Sequence, residues 1–150
     1  MPKPVTVSVD VEQDRERVYD FLDVMANHEP FTDHLMRDWE LSGPERGIGS
    51  KARVHVRAMG ISDTVDIEVV DAEAPERIVE RYTAEKAGRV GQGTYELEPL
   101  PSGGTRITFE YRWIHAPVLD RLTAPLTRAY LRRTNETAMR RLAEHLASEA

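Results

Sequence analysis

The sequence predicts an α+β fold in which one antiparallel sheet packs on a long C-terminal helix, and three patterns carry that prediction. Pro125 to Leu146 reads as a helix whose apolar residues, Leu131, Ala138, Met139, Leu142 and Leu146, fall at helical intervals that a period of two cannot produce. From residue 36 to residue 113 the chain switches to strand patterns and stays there. Strands and helices are thus segregated, whereas a parallel βαβ design would alternate them.

The first element is a half-buried strand, because Val5, Val7, Val9 and Val11 alternate with Thr6, Ser8 and Asp10. Asp14 can cap a helix running to about Met25, with Val18, Phe21, Leu22 and Met25 on one side. Asn27-His28-Glu29-Pro30 ends it, and Phe31 to Leu35 is expected to form one short helical turn. Next, Trp39 and Leu41 alternate with Asp38 and Glu40, followed by turns at Ser42-Gly43-Pro44 and Gly47 to Ser50. Ala52, Val54, Val56 and Ala58 share one face of the following strand, and Val65, Ile67 and Val69 one face of the next. Their outward residues are arginine-rich in one strand and acidic in the other, which suits antiparallel neighbours pairing across the ladder. Further strands are expected at Ile78 to Thr83, Thr94 to Glu98 and Thr105 to Trp113, for about six or seven in all. In the last, Ile107, Phe109, Tyr111 and Trp113 share a face. Pro117 to Thr123 reads as a short helix leading into Pro125, which fits a first helical position because its missing N–H would be unpaired there.

With 150 residues the chain forms one domain by the usual size prior, able to bury about 68–70% of its unfolded surface. A formal net charge of −6 without a basic cluster argues against nucleic acid or an anionic membrane as the main partner. Cysteine is absent, which excludes disulfide and thiolate chemistry. No stretch approaches the ~18 continuous apolar residues of a membrane span, and the N-terminus lacks a leader-like apolar core, so a cytoplasmic protein without membrane insertion is expected.

Candidate motifs are sparse. Gly88-Arg-Val-Gly91-Gln-Gly93 lacks the spacing and the following helix of a dinucleotide fingerprint, so its glycines are assigned to a hairpin and a strand bend. Gly47-Ile-Gly49-Ser-Lys51 enters a strand, where a phosphate-binding loop would open a helix, and no nucleophile elbow is present. His28 and His34, near Glu29 and Asp33, match no zinc spacing and are expected as solvated histidines on an exposed corner; neither a metal nor a cofactor is called for. His55 alternates outward.

The order of elements resembles the SRPBCC superfamily, the START-like and polyketide cyclase/dehydrase domains. The residues that carry the resemblance run from Val9-Asp10-Val11 into Arg17-Val18-Tyr19-Asp20-Phe21-Leu22, and from Pro44 to Gly49 ahead of Lys51-Ala52-Arg53. They continue with Val69-Val70-Asp71, Pro75-Glu76-Arg77-Ile78-Val79, Tyr95 to Pro99, Gly103 to Thr108, and the helix end Arg140 to Glu144. The resemblance implies a helix-grip fold, a curved sheet around the C-terminal helix with two short helices after the first strand. It also implies a cavity between sheet and helix for a hydrophobic or amphipathic small molecule, lipid-, quinone- or polyketide-like, with the His28–His34 corner near its entrance, where a gating or ligand role is the alternative to solvated histidines. The same cavity could serve a cyclase or aromatase, and a regulatory protein binding its partner through the Leu126–Tyr130 face is a third reading.

If Ile78 and Tyr82 face inward, as the resemblance implies, Glu80 faces inward too, desolvated as a general base would be. The opposite strand phase, or an arginine partner for Glu80, would make it structural. Asn135 interrupts the helix stripe, and a buried amide needs partners, from a ligand or from neighbouring groups. The expected ligand contacts are Phe31, Trp39, Val54, Val56, Ile67, Tyr82, Tyr95, Phe109, Tyr111, Trp113, Leu131, Asn135 and Met139. The aromatic residues among them serve equally as plain core, and a cavity they line would suit a flat, mostly apolar, oxygen-bearing molecule.

Overall fold

A computed structural model of the protein describes residues 1–149. Strand β1 (Val5–Val11) leads to α1 (Arg15–Asp23), a 3₁₀ turn (Met25–His28) and α2 (Glu29–Thr32). Six further strands follow: β2 (Met36–Ser42), β3 (Lys51–Ala58), β4 (Ile61–Glu73), β5 (Arg77–Ala84), β6 (Val90–Pro99) and β7 (Thr105–His115). Helices α3 (Val118–Leu122) and α4 (Ala124–Ser148) close the chain. All neighbours in the curved seven-stranded sheet are antiparallel, in the order β1-β7-β6-β5-β4-β3-β2. The helix-grip arrangement is therefore the observed one.

Local chemistry explains most boundaries. Asp14 caps α1, its Oδ1 accepting from the Arg17 N–H at 2.9 Å. The apolar side of α1 buries Val18, Tyr19, Phe21 and Leu22 against the sheet. Asp63 holds the β5–β6 turn by accepting from the backbone N–H groups of Lys86 and Ala87 at 2.8 and 3.0 Å. On the outer surface Arg53 lies opposite Asp66 and reaches it at 3.3 Å, an exposed pair of small energetic value.

Helix α4 has two tasks. Its stripe buries Ala138, Met139, Leu142 and Leu146 in a single core cluster with Val54, Ile67, Ile107 and Phe109, and Leu131 packs against that cluster partly buried. Its arginines cover an edge strand: Arg128 donates to the carbonyls of Lys3 and Pro4, and Arg132 to that of Thr6, each at 3.0–3.1 Å. Unpaired edge carbonyls invite pairing with other chains, and this cover removes several of them.

The expected alternation of β2 fails. The register shifts between Arg37 and Glu40, and Asp38 takes a left-handed backbone (φ 56°). This bulge turns Trp39 inward while leaving Leu41 53% exposed. Leu126, too, lies 69% exposed at the start of α4.

A partly buried ion pair joins α3 to the sheet. Arg89 donates to both Asp120 carboxylate oxygens at 2.5 and 2.7 Å, and the Trp113 indole N–H donates to Oδ2 at 3.0 Å. Burial alone would raise the Asp120 carboxyl, but the bonds from Arg89 and then Trp113 outweigh it and hold it below its ordinary value. Such a group stabilises the fold above its unfolded value of ~3.9, and the contribution disappears as pH falls through the folded value. Asp120→Asn should therefore cost about 1–3 kcal/mol near neutral pH, toward the lower end because Arg89 is 33% exposed. Denaturation series at successively lower pH should show that difference shrinking.

Candidate functional site

The inner face of the sheet and the middle of α4 enclose a cavity of about 40 Å³. At ~10–15 Å³ per water it has room for about three, well below the ~300–1,000 Å³ of pockets for drug-sized ligands. Nine of the expected residues line it: Phe31, Trp39, Ile67, Glu80, Tyr82, Tyr95, Phe109, Asn135 and Met139. Five do not. Val54 and Val56 pack into the core cluster without reaching the cavity. Tyr111 stacks on Tyr82 with ring centroids 6.0 Å apart and meets Trp113 edge-on at 4.9 Å. Trp113 is committed to Asp120, and Leu131 lies one turn before the lining residues Thr134 and Asn135.

Glycines in β6 make this aromatic floor possible. A Cβ at Gly91 would overlap the Tyr111 ring, and one at Gly93 would overlap Tyr82 and Phe109. The glycine-rich segment is thus a space-making device within a strand as well as a hairpin, where Gly88 has φ 69°.

Glu80 does face inward and is 2% exposed. Antiparallel pairing sets it opposite Val69 on β4 and Gly93 on β6. Its Oε1 accepts from the Tyr82 hydroxyl at 2.7 Å, while Oε2 has no hydrogen-bond partner among the described residues. The nearest cation-forming group is His28 Nδ1, 3.6 Å from Oε2, too far for a hydrogen bond but close for charge. Burial, and then the charge of Glu80, raise the Tyr82 and Tyr95 phenols well above their ordinary value, and burial pushes Tyr111 up to about 12. These phenols hold their protons, so Tyr82 is a donor to Glu80.

The histidines correct the expectation of a solvated corner. His28 is 3% exposed, with its ring 5.3 Å from that of Phe31 and edge-on to Tyr95 at 5.8 Å. Its Nε2 lies 2.7 Å from the Leu22 carbonyl oxygen. A carbonyl only accepts, so Nε2 carries a hydrogen and Nδ1 is the nitrogen turned to Glu80. His34 is half-buried and lines the cavity, its Nε2 3.0 Å from the Thr134 carbonyl oxygen on α4. An ion pair between Asp33 and Arg141 fastens the same corner to α4 from outside. The periodicity of 27–35 gives no sign of this burial, because the groups that receive these histidines are a backbone carbonyl and a strand far away in sequence. Among the described residues no three His, Cys, Asp or Glu side chains gather as a metal site requires, and no helix is long and apolar enough to cross a membrane.

Residues 3–147 match the family described as polyketide cyclase/dehydrase and lipid transport. The chain belongs to this family. Solved structures with the same fold include the ZhuI aromatase/cyclase from Streptomyces sp. R1128, 16% identical with a TM-score of 0.78 over 98% of this chain and 94% of that one. The TTHA0849 protein of Thermus thermophilus is 19% identical, with a TM-score of 0.75 over 99% of each chain. Among curated proteins no sequence matches significantly. Within the polyketide cyclase/dehydrase and lipid transport family, then, this chain shows a narrow aromatic cavity with a carboxylate, two histidines and an amide set into its wall.

Proposed function

We propose that the protein binds a small, mostly apolar, oxygen-bearing molecule in the cavity between the sheet and α4. The observation that carries this reading is a coincidence of place. Four buried side-chain nitrogen or oxygen atoms lack a hydrogen-bond partner among the described residues, and three of them, on His34, Glu80 and Asn135, belong to residues lining this one aromatic cavity. An unpaired buried polar atom costs about 1–3 kcal/mol, so three at a single site favour a ligand that supplies their partners. At about 40 Å³ the cavity is smaller than the ~150 Å³ that takes up a benzene ring, so a one-ring molecule enters only as lining side chains shift. A lipid- or polyketide-sized ligand would need a far larger space. Titration calorimetry with toluene and phenol should show saturable one-to-one binding while unfolding remains cooperative, which separates a pocket from a molten state. Heats of dilution only, for both compounds, would contradict the reading.

A second reading, an enzyme of the cyclase or dehydrase type, is favoured by His28 beside Glu80. With Nε2 committed to Leu22, His28 turns Nδ1 toward the Glu80 carboxylate, 3.6 Å away. His28 Nδ1 and the Glu80 carboxylate thus stand side by side next to the cavity, the kind of acid–base neighbours that a site moving a proton α to a carbonyl requires. The aromatase/cyclase activity named for the Streptomyces neighbour belongs to that protein and supports this reading only by fold analogy.

A further inference from the structure

The groups at the α2–α4 side of the cavity have a fixed hydrogen-bonding polarity. His34 Nε2 lies 3.0 Å from the Thr134 carbonyl, which can only accept, so that nitrogen bears the hydrogen. The other ring nitrogen of neutral His34, Nδ1, is then an acceptor, and it is buried without a partner among the described residues. Beside Thr134 in sequence stands Asn135, 9% exposed, whose Nδ2 is a buried donor equally without a partner. Helix α4 therefore anchors one residue and carries the other, and their free valences are opposite. A single hydroxyl within reach of both would satisfy the two together, its hydrogen to His34 Nδ1 and its oxygen accepting from the Asn135 amide. The anchored histidine sets the polarity: with Nε2 donating to the Thr134 carbonyl, Nδ1 of the neutral ring can only accept.

We propose that His34 and Asn135 form a hydroxyl-reading site, which selects an uncharged alcohol or phenol over its ether and hydrocarbon analogues. An ether has no hydrogen for His34, and a hydrocarbon leaves both atoms unpaired. A carboxylate offers no hydrogen either, and burying its charge among aromatic walls is costly. The aromatic walls of Phe31, Trp39 and Phe109 receive the apolar body.

This inference rests on the cavity being a ligand site, and a four-compound series separates failure of the one from failure of the other. Phenol, anisole, toluene and benzoate have similar rings and differ in the polar group. Titration calorimetry on the full chain should give phenol an affinity about tenfold or more above anisole and toluene, with benzoate weakest. His34→Phe and Asn135→Leu should each bring phenol down to the level of toluene while toluene itself changes little. Equal binding of phenol, anisole and toluene by the wild type would overturn the hydroxyl site and leave the apolar cavity standing. Discrimination that survives in both variants would also overturn it. Should none of the four bind, the site and the binding reading fall together. The wild-type series decides even if a variant fails to fold.

Discussion

Truncating Leu142 to alanine should cost about 2–5 kcal/mol, read as a lower denaturation midpoint at unchanged slope. Leu142 is fully buried, as is Leu146 one turn on, and both belong to the cluster that joins α4 to the sheet. The loss would combine the transfer of the deleted methyl groups with the void left behind, which a well-packed interior only partly closes. Since α4 also carries Thr134, Asn135 and Met139 into the cavity wall, a looser helix should weaken any ligand as well. A loss below about 0.5 kcal/mol would mean that the stripe does not hold the helix to the sheet.

The second large effect separates the binder from the enzyme. Glu80→Gln keeps the shape of the side chain and an oxygen to accept from Tyr82, and it places an amide N–H toward His28. The variant should fold. If the protein is a binder, its affinity for phenol should change only modestly. If Glu80 is a base, turnover should fall by roughly 10²–10⁴ with binding retained. A suitable assay is α-proton exchange of a 1,3-diketone in D₂O followed by NMR, which needs no knowledge of the natural substrate. Wild-type exchange no faster than in buffer, with the diketone bound, would count against the enzyme.

The parts of the fold legible in the sequence are those in which a period meets a single apolar environment. The valines of β1 and the α4 stripe need only one buried face each, and their patterns are clean. Strand β2 departs from its expected alternation because the bulge between Arg37 and Glu40 has no signature apart from an aspartate tolerant of φ 56°. Glu80 is legible through Ile78 and Tyr82 on either side of it, since strand phase is shared along a strand. Its neighbour His28 is not, because the Leu22 carbonyl that fixes its ring is a backbone group that no side-chain pattern reports. Tyr111 and Trp113 point inward as expected, yet packing against Gly91 and bonding to Asp120 keep them out of the cavity lining. His34 illustrates the same limit, because its role depends on which α4 carbonyl lies above it.

Methyl-resolved NMR during addition of toluene tests the ligand cavity between the sheet and α4. The methyl signals of Ile67, Ala138 and Met139 should shift and saturate together, while those of Val11 and Val18, away from the cavity lining, stay in place. Saturating toluene that leaves Ile67, Ala138 and Met139 unmoved, or that shifts methyls evenly throughout the core, would contradict the claim.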